Sequence, residues 1–514
     1  MMKKLFYLLL GSLLILSGCA RLPKDYDKKE SYAFTNTKNT TIGKTIQKLE
    51  EKENSKSGVY ILNTGVDAFV ARAALAERAE KSIDVQYYLY HDDLIGKLFT
   101  YELMKAADRG VRVRVLIDDM GMGDSAKDKF AAILDNYPNI EVRLFNPFTR
   151  TSSRISQLMT NEHPITRRMH NKSFTVDNQM TILGGRNIGD EYFDADPVVD
   201  FKDMDIVGVG EIAKEVSKSF DKYWNNELSY PASILVRKKV EQEDIDEFKE
   251  KLYKFVEEQE NSVYLEALKN SNLAEKIKND AVVYHWGKAH VLYDDPGKIM
   301  KSRSDHEYNL APQLRPYFNA IQKELIIYSP YFVPGKIGVE YLTDLAKKGV
   351  RVRILTNSLA SNDVGIVHSG YMKYRKDLLR GGIELYEMNK ELNKEQKENK
   401  KWIGSSKASL HAKSFVLDRE RVFVGSLNLD PRSVIHNTEI GVIIDNKELG
   451  EKMAEDFDKK IDKIAFRLEL VDGEIVWHGI VDGEEKTFTK DPYTSFWQRM
   501  GVGAMRILPI ESQL

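Results

Sequence analysis

The chain has 514 residues, which suggests roughly two to four domains rather than one core. Its 76 lysines and arginines against 78 aspartates and glutamates leave a net charge of -2, so overall charge gives no attraction to a polyanion such as nucleic acid. A single cysteine excludes an internal disulfide framework.

In chain order, Met1 to Lys4 carries two lysines and Leu5 to Leu16 is an apolar run too short to span a bilayer. Leu16-Ser17-Gly18-Cys19 follows, with the only cysteine directly after two small residues. This arrangement resembles a bacterial lipoprotein signal (1–18), cleaved before Cys19 with lipidation of that residue, and implies an exported, membrane-anchored protein of the cell envelope. Residues 19–57 are rich in Lys, Asn, Thr and Ser and read as a polar tether. Structure is expected from Gly58, with a helix carrying Val70, Ala73, Leu75 and Ala76, a strand from Ile83 to Tyr90, a second helix stopped by Gly110, and a strand from Val111 to Ile117.

The later part of the chain repeats this order. A helix stopped by Gly349 precedes a strand from Val350 to Leu355; Gly110 maps to Gly349 at a shift of 239, and His170 to His411 at 241. Such a near-constant shift marks a duplicated α/β unit, each copy with a mostly parallel sheet covered on both faces. The copies are assigned to 58–232 and 301–465. Between them, at 233–300, Ile245, Phe248, Leu252 and Phe255 have helical spacing and read as a packing element. Lys390 to Lys401 is a charged loop, and 466–514 is a C-terminal tail with hairpin turns at Asp472-Gly473 and Asp482-Gly483 and a closing apolar segment expected to pack on the body.

The strongest signal is a motif written twice, as RMHNKSFTVDNQMTILGGRN from Arg168 and SLHAKSFVLDRERVFVGSLN from Ser409. Each copy has His, one residue, Lys, four residues, Asp, six residues, Gly, a small residue, one residue and Asn. Strand alternation puts His170 with Lys172, and His411 with Lys413, on one face. A hairpin loop of two or four residues then sets Asn187 opposite His170 and Gly185 opposite Lys172. In the second copy it sets Asn428 opposite His411 and Ser426 opposite Lys413. A three-residue loop shifts the pairing by one and turns the asparagines away.

Lysine ammonium and asparagine amide suit a phosphate oxygen, and histidine is the side chain able to act as nucleophile or proton carrier near neutral pH. Lys172, Lys413, Asn187, Asn428, Ser426 and Gly185 are therefore candidate phosphate-binding positions. A following strand in each copy offers a carboxylate to sit behind a histidine, Asp205 in DMDIVGVG and Glu439 in NTEIGVII. Asp177 and Asp418, at the strand ends, read as turn and packing residues. No cysteine cluster or helical His-x-x-x-His pair suggests a metal, and no cofactor is expected.

With these residues the sequence resembles the phospholipase D superfamily. The stretches SIDVQYYLYHDDLIG, VLYDDPGK, GIELYE and LPIESQL are similar to bacterial cardiolipin synthases of the C type. The resemblance implies two α/β/α sandwich domains packed face to face over one shared cleft. It also implies metal-independent transfer of a phosphatidyl group through a phosphohistidine, with His170 as nucleophile and His411 as general acid. Phosphatidylglycerol is the implied acceptor, phosphatidylethanolamine an alternative donor, and a membrane surface the implied partner. The competing readings are a hydrolytic phospholipase D, an exported phosphodiesterase or nuclease, and a non-catalytic phospholipid-binding lipoprotein.

Overall fold

The computed structural model describes residues 22–23, 26–53, 57–122, 125–150, 154, 157, 165–196, 199–236, 239–279, 281–301, 309–391, 407–506 and 511. Cys19 and most of the charged loop, from 392 to 401, lie outside the described residues. The strands are β1 (Ser57–Leu62), β2 (Ser82–Tyr87), β3 (Arg112–Asp118), β4 (Ile140–Phe145), β5 (Ser173–Val176), β6 (Met180–Gly184), β7 (Val199–Lys202), β8 (Asp205–Gly210), β9 (Ser229–Pro231) and β10 (His285–Trp286). The later strands are β11 (Lys288–Tyr293), β12 (Glu324–Tyr328), β13 (Arg351–Asn357), β14 (Glu384–Met388), β15 (Lys407–Leu410), β16 (Ser414–Leu417), β17 (Arg421–Gly425), β18 (Ile440–Asp445), β19 (Ala465–Val471), β20 (Glu474–Val481) and β21 (Glu484–Phe488).

The first sheet runs β10-β1-β8-β6-β5-β2-β3-β4-β9, the second β11-β18-β17-β16-β12-β13-β14-β19-β20-β21. Each contains the same block, β8-β6-β5-β2-β3-β4 and β18-β17-β16-β12-β13-β14, so the duplication seen in sequence is one of topology. Within each block only three strands are parallel, β2-β3-β4 and β12-β13-β14. The motif strands β5-β6 and β16-β17 run antiparallel, as do their neighbours β8 and β18. The mostly parallel sheet expected from the alternation of helix and strand is thus corrected. The motif returns through a tight hairpin and needs no helical crossover.

Gly110 and Gly349 end their helices at φ 88° and 89°, a left-handed conformation natural to glycine. Their N–H groups bond the Ala107 and Ala346 carbonyls, and the N–H of the next residue bonds the carbonyl one residue further back, Ala106 and Leu345, in both copies. Residues placed in the tether are docked instead. Ala33 N–H bonds the Asp221 carboxylate, Arg112 lies 3.9 Å over the Phe34 ring, and Ile42 and Ile46, four apart on the helix Thr41–Glu50, are buried. The helix Gln242–Gln259 of the central insert packs Ile245, Leu252 and Val256 into the first copy's core, as its apolar spacing requires.

The copies join through an apolar layer in which Val59, Leu183 and Ile206 meet Val422, Val424, Val442 and Ile444. A two-stranded parallel ribbon of β7 and β15 crosses between them, and Met169 bridges Thr438. The Asp-Gly turns at 472–473 and 482–483 adopt left-handed φ at both residues and link β19, β20 and β21 onto the second sheet. The closing segment, expected to pack, forms a helix Phe496–Met505 that buries only Val502. No described helix is long and apolar enough to cross a membrane.

Candidate active site

The C-terminal ends of β3 and β13 position the two motifs. Asp118 accepts from Met169 N–H at 2.8 Å and pairs with buried Arg168 at 2.6 Å. Its counterpart Asn357 takes Leu410 N–H at 2.8 Å and returns a bond to the Leu410 carbonyl. Each histidine thus starts from a main chain clamped one residue earlier. At the far end of the hairpins, Asp177 and Asp418 sit at φ 50° and 54° and accept from the N–H groups of residues 80–82 and 322–324. They are turn residues that tie the motif to β2 and β12.

The ladder pairs Val176 with Met180 and Leu417 with Arg421, leaving three-residue loops in both copies. The pairing built on two- or four-residue loops is therefore off by one. Two successive left-handed residues, Asp177-Asn178 and Asp418-Arg419, followed by one extra residue, account for the shift. Asn187 does not lie across the ladder from His170. Its Oδ1 accepts from Leu89 N–H at 3.2 Å, and its Nδ2 donates to Tyr192 Oη at 3.0 Å. Tyr192 in turn packs its ring 5.1 Å from that of His411. Asn428 is buried, and its Oδ1 meets no hydrogen-bond partner among the described residues.

Gly185 and Ser426 face carboxylates rather than lysines. A Cβ on Gly185 would come within 2.2 Å of Asp203 Oδ1, and Ser426 Oγ donates to Glu439. Those two carboxylates hold the histidines, and the pairing crosses between copies. His170 Nδ1 lies 2.9 Å from Glu439 Oε2, and His411 Nδ1 lies 2.5 Å from Asp203 Oδ2. One cleft therefore contains both motifs.

Asp205 is not behind a histidine. β8 pairs Asp205 with Gly184, where β18 pairs Gly441 with Gly425, so Glu439 corresponds to Asp203, two residues before Asp205. Asp205 instead accepts from Arg72 at 2.9 Å and lies 3.5 Å from Arg186 in a fully buried network. Sequence reasoning missed Asp203; the segment DMD offers two carboxylates, and only the strand register separates them.

Lys172 Nζ donates to the His170 carbonyl at 2.7 Å, and Lys413 Nζ donates to the His411 carbonyl while standing 3.1 Å from its Nε2. Burial, then the charges of Lys172, Lys413 and His411, push the His170 imidazole well below its usual range. Burial and Lys413 lower His411 as well, against the attraction of Asp203. Burial lowers Lys172 strongly and brings Lys413 to about 8. The two carboxylates diverge. Burial lifts Glu439 to about 7, whereas for Asp203 the charges of His411, Lys413 and Arg186 outweigh burial and hold it at about 2. Neutral imidazole Nε2, ammonium donors and a low-dielectric setting together suit attack on a phosphorus centre.

Residues 73–224 and 314–461 match the family described as cardiolipin synthase, PLD-like domain. The chain belongs to this phospholipase D-like family. Cardiolipin synthase C of Escherichia coli (strain K12) is 38% identical over 91% of this chain and 99% of its own. An uncharacterized protein of Helicobacter pylori (strain ATCC 700392 / 26695) is 32% identical over 98% and 99%. Among solved structures, phosphatidylserine synthase of Haemophilus influenzae Rd KW20 shares the fold, with a TM-score of 0.53 over 82% of this chain and 91% of that one at 16% identity. This phospholipase D-like protein is an enzyme of the phosphatidyltransferase type.

Other histidines of the phospholipase D-like fold lie outside this cluster. His368 Nε2 accepts from Arg375 at 2.6 Å in a buried structural pair. His91, Asp93 and Glu191 bring ligand atoms within 4.8 Å of one another, but Asp93 already caps Gly96 N–H and Asp190 N–H.

Proposed function

We propose that the protein makes cardiolipin by phosphatidyl transfer through a phosphohistidine on His170. The observation that carries this reading is the crossed pair of histidine–carboxylate contacts, each bringing a residue of one copy to the histidine of the other, with both lysines alongside. His170, with Nδ1–H donated to Glu439, attacks phosphorus with Nε2; the N–P bond forms as the headgroup P–O bond breaks. His411, its cation favoured by the ionised Asp203, gives its proton to the departing glycerol or ethanolamine oxygen. It then takes the proton of a phosphatidylglycerol hydroxyl, whose oxygen attacks phosphorus and releases His170. Lys172 and Lys413 neutralise charge on the phosphoryl oxygens throughout. Asn428 would be a further donor through its Nδ2, a role that rests on the repeated motif. Lipidation at Cys19 would hold the exported enzyme at a membrane, where lipid alcohol is concentrated over competing acceptors. Palmitate labelling lost in Cys19→Ser tests that anchor.

The deciding assay uses labelled phosphatidylglycerol, alone and with phosphatidylethanolamine. Cardiolipin supports transfer; phosphatidic acid as the sole product means hydrolysis; no lipid turnover with digestion of single-stranded DNA means a nuclease. Either His170→Ala or His411→Ala should abolish turnover, and Lys172→Ala or Lys413→Ala should lower it about a hundredfold to a thousandfold, as for one lost transition-state donor.

A further inference from the structure

The helix Phe496–Met505 rests on the helix Gly365–Met372, with Val502 Cγ2 3.5 Å from the Cβ position of Gly365. Ser495 Oγ caps it by accepting Gln498 N–H at 3.1 Å, and Gln498 Nε2 reaches the Leu359 carbonyl at 3.2 Å. It is thus a fixed element with one side seated. The other side is apolar and uncovered by any described residue: Phe496 is 63% exposed, Trp497 72% and Met500 50%. The rings of Phe496 and Trp497 meet edge to face at 5.4 Å, and Ile366 on the supporting helix extends the same apolar character. A clustered aromatic patch of this kind marks an interaction surface.

Charge and position select the partner. Between Ser495 and Arg506 there is no acidic residue, and Arg499 and Arg506 are cationic. A short amphipathic helix with tryptophan, phenylalanine and methionine on one side and arginines beside them fits the headgroup zone of an anionic bilayer. The supporting helix begins just after Asp363, whose carboxylate accepts from Tyr331 Oη at 2.8 Å and whose charge acts on Lys413 and Tyr192. Tyr192 packs against His411, so the supporting helix starts on the His411 side of the cleft.

We infer that Phe496, Trp497 and Met500 insert into the interfacial layer of an anionic phospholipid bilayer and hold the cleft mouth against the lipid from which substrate is drawn. The choice of a lipid surface rests on the phosphatidyl-transfer reading. The test compares full-length wild type with Phe496→Glu and Trp497→Glu on phosphatidylglycerol vesicles and on short-chain phosphatidylglycerol dissolved below its micelle concentration. Vesicle turnover should fall at least tenfold while turnover of the dissolved lipid stays unchanged. Bromine placed on the upper acyl chains of the vesicles should quench wild-type indole fluorescence more than that of Trp497→Phe. Equal vesicle turnover in wild type and variants, or equal quenching in wild type and Trp497→Phe, overturns the inference. So does a dimer that becomes monomeric on Trp497→Glu, which assigns the face to a second copy. A wild type inert on both forms of lipid sinks the transfer reading, and the quenching comparison then decides insertion by itself.

Discussion

Two aspartates two residues apart have opposite duties. Asp203→Asn should lower turnover about ten-thousandfold, because it removes the carboxylate that orients His411 and supports its cation. Asp205→Asn should cost about 3–5 kcal/mol by leaving the Arg72 and Arg186 guanidiniums buried without their partner, read by chemical denaturation. The pH profile of kcat/KM follows from the same residues. With Glu439 raised to about 7, its ionised form, the one that accepts Nδ1–H of His170, fills as pH climbs through that value. Lys413, lowered to about 8, loses its charge above it. Activity should therefore follow a bell near neutral pH, its acidic limb set by Glu439 and its alkaline limb by loss of the proton that His411 gives, whose cation burial and Lys413 disfavour, and then of the Lys413 charge; Glu439→Gln should flatten the acidic limb while lowering the maximum. His170, Lys172, His411 and Lys413 were legible from spacing alone because repetition exposed them. Asp203 was not, because DMDIVGVG does not say which aspartate faces the hairpin; the ladder decides it.

At the scale of the element, the motif hairpin is held from outside by its aspartates. Asp418→Ala strips three backbone donors, on Gln322, Lys323 and Glu324, of their acceptor. It should cost about 1–3 kcal/mol in urea denaturation, with the catalytic rate less affected than stability. The turn role of these aspartates was readable from their place at a strand end. The loop length was not: without Asn-Gly or Asp-Gly, the sequence carries no marker of a three-residue turn, and left-handed Asp-Asn and Asp-Arg pairs supplied it. That single residue moved Asn187 from His170 to Tyr192. The opposite case is 472–473 and 482–483, where Asp-Gly announced turns that the chain makes. The docked segment before β1 was hidden by its polarity; Ile42 and Ile46 sufficed to seat a helix among lysines and threonines.

For the whole molecule, duplication made the architecture legible: a near-constant offset gave two α/β units, and the resemblance to the phospholipase D superfamily implied the one cleft they share. It did not reveal that each histidine borrows its carboxylate from the other unit, because a repeat in sequence carries no information on which copy's strand end crosses over. The consequence is measurable. Residues 22–287 or 288–514 expressed alone, a division between β10 of the first sheet and β11 of the second, should turn over no phospholipid, each having one histidine without its carboxylate, and co-expression of the two should restore turnover in the fraction that reassembles.

The crossing is also unequal. A glutamate reaches His170 with a serine at its back, while a shorter aspartate reaches His411 over a bare glycine. One methylene and one hydroxyl thus make the two histidine–carboxylate pairs chemically distinct, so that under the proposed transfer the two ends of a bound phosphodiester meet different surroundings.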